Sequence, residues 1–597
     1  MDRQGLVALC NAHGIDDAFW GIDGVHREAP TETLAALADA LNIHDAEPTH
    51  RATIQEALEQ TDGPRAFVPD ALRDQRAWGF ACQLGSLRSE RNAGMGDFED
   101  LRQLVHVLGG MGADFVGLNP LHALFTANPH HASPFSPSNR SWLNPIYIAL
   151  DKVEGYETLP HSLRDTPPKL REGDLIDLAT VARHKMGVLQ RLFDDFPWNS
   201  ESEQSFARFR RDGDASLQDH SLFEALSHRM VATGSGAGWT NWPAGYRDRN
   251  AIDVLAFETA EAEAVTFHAW LQWIADIQLG TASLEARKAG MRVGLYLDLA
   301  VGAAPDGSST WGDRSIVVPG LHIGAPPDPF SATGQDWGLA PMSPVALSER
   351  KAKPIADMLD SVMRHAGAVR IDHAMGLARL WLIPAGRSAL EGAYVRYPLK
   401  RTLAALGRVT NERGCMVIGE DLGVVPEGFR PLMEQRDLHA YKVFLFERDE
   451  NGFRNPRSWG QTALACVGTH DTPSFPGWWA GHDIRVRREI GQFSHEDVER
   501  ERYLREEDRV RVRNMLGHET DAMDMSLKVH AHIARSPCRL AVVQIDDALG
   551  TLEQPNMPGT IDEHPNWRRR MKVSVNALGS HEGLARHVEA MQASRGG

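Results

Sequence analysis

With 597 residues, the chain exceeds one ordinary domain, although a single barrel with long insertions can pass about 400 residues. Its 42% hydrophobic and 24% charged residues are typical of a soluble globular protein with a large core. The net charge of -17 argues against nucleic acid or an anionic membrane surface as the main partner.

The opening of the chain is expected to form short helices. Leu6 and Cys10 share one helical face, and "PTETLAALADALNI" repeats its leucines and alanines at helical spacing. The polar stretch "TDGPRAFVPDALRD", near residues 60–75, is typical of a linker. We therefore expect a small helical N-terminal region over residues 1–74 and a separate domain over residues 75–597.

From about residue 78 the chain alternates short apolar runs with helical segments. The eight runs are "WGFACQL", "FVGLNPLH", "RVGLYLDLAV", "AVRIDH", "MVIGEDLG", "YKVFLFE", "LACVGTHD" and "CRLAVVQID". Because they are almost continuously apolar, they predict strands that are covered on both faces of a parallel sheet. Most of them carry a polar residue near the C-terminal end, which is where a (β/α)8 barrel places its active site. An α/β fold of the (β/α)8 TIM barrel type is therefore favoured over a doubly wound sheet.

The spacing of the runs is uneven. The second and third runs are much farther apart than one crossover needs, and the segment between them contains helical patterns such as "EALSHRMVATG". We expect a large helical insertion at about residues 123–290, packed beside the mouth of the barrel. The sequence has no GxGxxG after a strand and no Walker lysine, which weakens a nucleotide-binding interpretation.

Three of the predicted strands end in acids: Asp372 in "RIDH", Glu420 in "GEDLG" and Asp471 in "THDT". A barrel brings such ends together although they are distant in sequence. Cleavage of a glycosidic bond needs two carboxylates, one protonated to assist the leaving oxygen and one ionised to attack the anomeric carbon. One strand-end aspartate alone is more often a helix cap or turn residue. Three on one barrel favour a catalytic site.

The neighbours of these acids suggest how their protonation states could differ. Arg370 lies two residues before Asp372 and shares its strand face, so we expect it to keep Asp372 ionised. Glu420 has no adjacent cation in sequence and is the better candidate acid. Asp421 is the alternative, because neighbours on a strand point in opposite directions and the sequence does not decide between them.

Cysteines, histidines and tryptophans give weaker signals. The five cysteines are scattered without a CxxC, which predicts buried reduced thiols and a cytoplasmic location. We identify no signal peptide or membrane span. The pair His130–His131 and the "HAH" at 530–532 lack the spacing to converge on one ion, so we expect no metal and no cofactor. The 15 tryptophans fill the core or, alternatively, form stacking platforms for sugars.

Longer segments around these residues are distinctive. In chain order they are "GSLRSERNAGMGDFEDL", "NPLHALF", "SPFSPSNRSWLNPIYI", "GAPPDPFSATGQDWGLAPM", "RIDHAMGL", "IGEDLGVVPEG", "GTHDTPSFPGWW" and "NMPGTIDEHPNWRRRM". Together they cover nearly all of residues 75–597 in motif order. In this they resemble the 4-α-glucanotransferases, the amylomaltases or disproportionating enzymes of glycoside hydrolase family 77.

The resemblance implies a retaining (β/α)8 enzyme that needs no metal. By position, Asp372 matches the nucleophile of the family, Glu420 its acid/base, and Asp471 the acid that stabilises the transition state. The residues that match substrate contacts or their neighbours are Arg370, His373, His470, Asp298, Phe135, Trp337, Asn144 and Gln335. His373 would face away from the site by strand alternation, so this role requires the strand to end before it.

Three of these matches carry more detail. Asp298, at the end of "LYLDLAV", matches an aspartate of the donor site. Trp337, in the "GQDWG" loop, matches a mobile flap on the acceptor side, in a Gly- and Pro-rich stretch typical of a lid. Phe135 stands where many members have a tyrosine in "SPYS". Its ring can still stack on a sugar, but a hydroxyl contact is lost.

The activity that the resemblance implies is transfer of α-1,4-glucan segments from a donor to the 4-hydroxyl of an acceptor glucan or glucose. The implied partners are maltooligosaccharides and α-1,4-glucans, with no nucleic acid and no membrane. Two alternatives stay open: an α-amylase-type hydrolase with the same three acids, and a catalytically silent glucan-binding protein.

Overall fold

A closed parallel barrel forms the centre of the molecule. The computed structural model describes residues 2–21, 24–44, 47, 51–327, 331, 333–450 and 452–595. The barrel strands are β1 (Ala77–Cys82), β2 (Phe115–Leu118), β3 (Gly294–Leu299), β4 (Ala368–Ile371), β5 (Met416–Gly419), β6 (Ala440–Val443), β7 (Ala463–Cys466) and β8 (Leu540–Gln544).

Seven of the eight contacts between neighbouring barrel strands are regular parallel pairings, in the order β5-β4-β3-β2-β1-β8-β7-β6. The eighth is a parallel bridge between Ile418 of β5 and His439, the residue before β6. His439 donates its N–H to the Val417 carbonyl at 2.9 Å and accepts from the Gly419 N–H at 2.8 Å, which closes the barrel. Each strand lies within or overlaps one of the eight apolar runs. The predicted (β/α)8 fold is therefore confirmed.

The apolar composition of the strands explains why they pack inside the molecule. Every residue of β2, β3, β4, β5 and β7 is buried. Gly79 of β1 shows how closely the strands approach, because a Cβ at that position would lie 2.2 Å from the carbonyl oxygen of Phe115. Only glycine fits there without a shift of the backbone.

Helices surround the barrel. Seven of those between its strands belong to two long connections that are described below. The others between or after its strands are Phe98–Gly110, Ala262–Lys288, Lys353–Met363, Leu399–Arg413, Phe429–Gln435, Phe475–Ala480, His482–Glu489, His495–Leu516, Ala522–Ala534, Ile545–Ala548, Val575–Leu578 and Glu582–Arg595. Within the described chain, no α-helix joins β6 to β7. A short hairpin of Arg448–Asp449 and Gly452–Phe453 occupies that connection instead.

The connection between β2 and β3 is long and mostly helical. Its helices before Ala262–Lys288 are His161–Arg164, Pro168–Arg171, Leu178–Asp194, Ser200–Ala232 and Ile252–Ala260. The helix Ser200–Ala232 is interrupted at Asp214, where φ is 47°. An antiparallel pair, His122–Ala123 with Asn139–Leu143, begins the connection and carries the loop with Phe135. The predicted bounds of 123–290 for an insertion stay a prediction.

A second, antiparallel sheet lies outside the barrel. Its strands run in the order Ala393–Arg396, Arg379–Pro384, Leu321–Ala325 and Gln335–Leu339. The short helices Ser308–Gly312 and Pro344–Glu349 flank the last two strands in sequence. One face of this sheet packs in a common core with the N-terminal helices Arg3–Ala12 and Thr31–Ala40.

The N-terminal region also contains a feature that the sequence did not predict. Besides the helices Arg3–Ala12, Thr31–Ala40 and Ile54–Glu59, it has a hairpin of Ala18–Trp20 and His26–Glu28. Three-residue strands are too short to produce a readable alternation of apolar and polar residues. Phe19 anchors the hairpin edge-on against Trp381 of the second sheet, with ring centroids 4.8 Å apart. The proposed division at residue 75 stays a prediction.

All five cysteines are buried free thiols. Across the described parts of the chain, no helix combines the length and apolar character needed to cross a membrane.

Candidate active site

Two acids and one arginine meet at the ends of β3 and β4. Asp298 of β3 is in register with Arg370 of β4, and Asp372 follows the last residue of β4. Nη1 of Arg370 donates to both Asp298 oxygens at 2.8 and 2.9 Å, and Nη2 donates to Oδ1 of Asp372 at 2.8 Å. The Asp298 side chain is 5% exposed and that of Asp372 is 20% exposed. Asp372 is therefore the more solvent-accessible of the two carboxylates.

The charges of this trio stabilise one another. Burial alone would lower the pKa of Arg370, but the Asp298 and Asp372 carboxylates raise that pKa well above its ordinary value. Burial raises the pKa of Asp298, whereas the ion pair with Arg370 opposes that rise. Arg370 is therefore a permanent cation that is held beside Oδ1 of Asp372.

Glu420 lies directly after β5 and contacts the turn that carries Asp372. Its Oε2 accepts the His373 N–H at 2.9 Å, and its Oε1 accepts the Leu422 N–H at 2.7 Å. Burial raises the pKa of Glu420 to about 7, a rise that Arg370 opposes and the Asp372 charge increases. Glu420 can therefore hold a proton near neutral pH, as a general acid must.

The neighbouring acid, Asp421, points elsewhere. Its side chain is 1% exposed; Oδ1 accepts the Tyr441 N–H of β6 at 2.8 Å, and Oδ2 accepts from Nε of Arg430 at 2.6 Å. Both oxygens are thus used in structural bonds. The geometry leaves Glu420, not Asp421, as the acid beside Asp372.

His373 does enter the site, because β4 ends two residues earlier. Its φ of 46° is left-handed, so strand alternation no longer determines its direction. The ring lies edge-on to Trp337 at 5.2 Å, and Nε1 of Trp337 donates to Oε1 of Gln335 at 3.0 Å. Burial lowers the pKa of His373 to about 4, which keeps the ring neutral. His373, Trp337 and Gln335, all predicted site residues, therefore form one group.

Asp471 and His470 lie in the loop after β7. Oδ2 of Asp471 is 3.2 Å from Nε2 of His470, and Oδ1 accepts from Nδ2 of Asn556 at 2.6 Å. Burial raises the pKa of Asp471, but His470 and Asn556 outweigh it and lower that pKa to about 2. The Asp471 side chain is nevertheless 46% exposed. It is thus an accessible, permanently ionised carboxylate.

Aromatic rings flank this pair. Phe135 stacks on His470 with ring centroids 4.5 Å apart and an interplanar angle of 23°. The Trp567 ring lies 5.6 Å from both of them. Cζ of Arg370 is 5.9 Å from the Phe135 centroid, so Phe135 connects the Asp372 and Asp471 sides of the site.

Asn144 is hydrogen-bonded within its own turn. It is 7% exposed, and its Oδ1 accepts the Ile146 N–H at 3.2 Å, which caps the turn at Pro145–Tyr147. It lines a cavity whose wall also includes Trp567 and Gln83. A second cavity opens beside His470 and is lined by polar groups such as Asp546.

Three residues near Asp471 were not among the predicted site residues: Gln554, Asn556 and Trp567. They lie on or next to the distinctive segment "NMPGTIDEHPNWRRRM". This segment was the one sequence feature that could have pointed to them. The sequence offered no way to tell which of its side chains turn toward Asp471, because that depends on how the loop closes.

Comparisons with known proteins point to one family. The family model for 4-alpha-glucanotransferase matches residues 82–575. A 4-alpha-glucanotransferase from Haemophilus influenzae is 33% identical over 550 residues, covering 87% of this chain and 79% of that protein. One from Mycobacterium bovis is 35% identical over 529 residues, covering 84% of this chain and 72% of that protein.

A solved structure is similar over the whole chain. The amylomaltase from Corynebacterium glutamicum superimposes with a TM-score of 0.84 at 25% sequence identity, covering 99% of this chain and 100% of its own. The matches of sequence and structure thus extend over the barrel and all three strand-end acids. The chain belongs to the 4-alpha-glucanotransferase family.

Proposed function

We propose that this enzyme transfers α-1,4-glucan segments to the 4-hydroxyl of an acceptor glucan or glucose by a retaining double displacement. The observation that carries the proposal is the pairing of two unlike carboxyl groups. Asp372 lies beside the permanent cation Arg370, whereas burial raises the pKa of Glu420 to about 7. Glycoside cleavage needs this difference between its nucleophile and its acid.

In the first step, a carboxylate oxygen of Asp372 attacks the anomeric carbon of the donor. The bond from that carbon to the glycosidic oxygen breaks, and Glu420 gives its proton to this oxygen as the chain departs. The ionised Asp471 stabilises the positive charge that develops on the sugar. A covalent glycosyl-enzyme on Asp372 results.

In the second step, Glu420 is a carboxylate and acts as the base. It removes the proton of the acceptor's 4-hydroxyl while that oxygen attacks the anomeric carbon. The new glycosidic bond forms, the ester bond to Asp372 breaks, and Glu420 regains its proton. Two inversions give net retention.

The surrounding residues have proposed roles in binding. Phe135 and His470 offer ring faces to a sugar, and His373 offers a neutral imidazole. Asp298 gives both of its oxygens to Arg370, so we assign it to the orientation of Arg370. Direct sugar contacts of Asp298 and of Asn144 stay predictions.

Transfer requires that an acceptor sugar compete with water. Trp337 and Gln335 lie beside His373 on an edge strand of the second sheet. We propose that they hold the acceptor and exclude water, which favours transfer through proximity and desolvation. The five buried free thiols support a cytoplasmic location for this reaction.

Incubation with maltotriose tests the proposed activity. Transfer predicts glucose together with a ladder of longer maltooligosaccharides. An α-amylase-type hydrolase would instead yield only maltose and glucose, and a silent binding protein would bind maltotriose without products. Either of those two results contradicts the proposal.

A further inference from the structure

The segment 554–567, which we call the brace loop, folds back onto its own beginning. The Trp567 N–H donates to the Pro555 carbonyl at 3.0 Å, and Nε2 of His564 lies 3.0 Å from the Gln554 carbonyl. The two ends of the loop are thus tied together, as in compact surface loops that are packed by their own side chains.

Asn566 forms hydrogen bonds inside the brace loop. It is 8% exposed, and its Oδ1 accepts the Met557 N–H at 2.8 Å. Its Nδ2 donates to the Thr560 hydroxyl at 2.8 Å and to the Thr560 carbonyl at 3.2 Å. The hydroxyl of Thr560 in turn donates to the Met557 carbonyl at 2.7 Å. The oxygen and the nitrogen of the Asn566 side-chain amide therefore both hold the backbone next to Asn556.

The brace loop contacts Asp471 at two points. Nδ2 of Asn556 donates to Oδ1 of Asp471 at 2.6 Å, and Nε2 of Gln554 donates to the Asp471 carbonyl at 2.9 Å. The same Gln554 nitrogen also donates to the Asn556 carbonyl at 2.6 Å. The carboxylate and the backbone of Asp471 are thus both held from this one loop.

The end of the brace loop contacts the partner of Asp471. Trp567, next to Asn566 in sequence, has a φ of 62°, a left-handed conformation that bulky side chains rarely adopt. Such a conformation persists only where its surroundings fix it. Its ring lies 5.6 Å from His470, so the brace loop approaches the Asp471–His470 pair from two sides.

We propose that Asn566 is a positioning residue for the transfer reaction. It holds the brace loop closed, so that Asn556 and Trp567 keep the Asp471–His470 pair in the geometry that stabilises the transition state. Asn566 itself acts through these residues and contacts none of the three acids. The inference rests on the role proposed above for Asp471.

The test is a double-mutant cycle with maltotriose as substrate. The kcat and KM of disproportionation are measured for wild type, Asn556→Ala, Asn566→Ala and the double variant. We expect Asn566→Ala to lower kcat by about 10- to 100-fold with KM within about twofold, because the loss is one of orientation. If the two losses were independent, the activity of the double variant would fall by their product. Because the two residues act in series, we expect the double variant to stay at least about fivefold more active than that product predicts.

Two results would overturn the inference. One is a double variant whose loss equals that product, which would mean that the two amides act independently. The other is an Asn566→Ala protein with a raised KM and an unchanged kcat, which would make Asn566 part of the sugar-binding surface. Asn455→Ala is the matched control, because Asn455 also bonds the backbone of its own turn but outside the site, and it should leave both constants unchanged.

Thr560→Val keeps the test decisive if Asn566→Ala fails to fold. This nearly isosteric change removes only the hydroxyl that accepts from Nδ2 of Asn566 and donates to the Met557 carbonyl. We expect a roughly threefold lower kcat that is again less than multiplicative with Asn556→Ala, and an unchanged kcat would overturn the inference. Asp471→Asn is measured in parallel: full activity there would refute the proposed role of Asp471, whatever the result at Asn566.

Discussion

Arg370 and Asp298 face each other in register on adjacent barrel strands, and one guanidinium nitrogen donates to both carboxylate oxygens. This bond leaves the second nitrogen of Arg370 aimed at Asp372. Arg370 and Asp372, the charged pair in "AVRIDHAMG", therefore form a three-residue unit with Asp298, which lies 72 positions before Arg370 in the sequence. The unit both stabilises buried charge and orients the proposed nucleophile.

Removal of the arginine should destabilise the fold. In Arg370→Met, Asp298 would stay buried without its cation, so we expect the free energy of unfolding to fall by about 3–5 kcal/mol. Urea denaturation followed by circular dichroism measures it. Arg413→Met is the matched control, because its ion pair with Asp360 is exposed and should contribute at most about 1 kcal/mol. Equal losses in the two variants would contradict a special role for the Arg370 pair.

The activity should decrease as the pH rises through about 7. Burial raises the pKa of Glu420 to about that value, and the protonated form, which gives its proton to the leaving oxygen, is lost above it. The measurement is kcat/KM for maltotriose between pH 5 and pH 9, which spans about two units on either side of this pKa.

Two controls assign that alkaline decrease to Glu420. An activated donor such as α-maltosyl fluoride needs little acid assistance, so its kcat/KM should depend much less on pH in this range. In Glu420→Gln the decrease near pH 7 should disappear. A decrease with the same midpoint in Glu420→Gln would assign the titration to another group.

The stack of Phe135 on His470 should contribute to turnover. Loss of the ring in Phe135→Leu removes an aromatic pair worth about 0.5–1.5 kcal/mol, so we expect kcat/KM to fall by about 2- to 10-fold. Phe135→Tyr keeps the ring and should retain at least wild-type activity. A leucine variant as active as the tyrosine variant would show that the stack is unimportant for the reaction.

Trp337 should determine how often water replaces the acceptor. We expect Trp337→Ala to raise the fraction of turnovers that end in hydrolysis, measured as new reducing ends against longer oligosaccharides. Gln335→Leu removes the bond that fixes the Trp337 ring and should shift this fraction in the same direction by a smaller amount. Slower turnover with an unchanged hydrolytic fraction would argue against a role in water exclusion.

The eight strands could be predicted because each is an apolar run long enough to be recognised, and barrel topology then places their ends together. The residue pattern alone left Asp421 open as an alternative to Glu420, and only the family resemblance chose Glu420. Strand alternation could not decide, since β5 ends at Gly419 and alternation does not apply beyond it. The hydrogen bond from the Tyr441 N–H to Asp421 decides the geometry, and it comes from a neighbouring strand.

Asn556 and Trp567 illustrate a different limit of prediction. Their positions depend on bonds between distant parts of one irregular loop and on contacts with residues more than 80 positions away, such as Asn556 with Asp471. Neither hydrophobic periodicity nor helix and strand signals describe such a loop. Only the folded chain reveals that it contacts the Asp471–His470 pair from two sides.

The central claim, that Asp372 is the nucleophile and Glu420 the acid/base, is tested most directly by trapping the glycosyl-enzyme. Glu420→Gln is incubated with α-maltosyl fluoride, whose fluoride leaves without acid assistance, and the protein is examined by intact-mass spectrometry and peptide mapping. We predict that one maltosyl unit accumulates as an ester on Asp372 and is absent when Asp372→Asn is added to the same protein. An adduct on another residue, or one that persists in the Asp372→Asn protein, would contradict the claim.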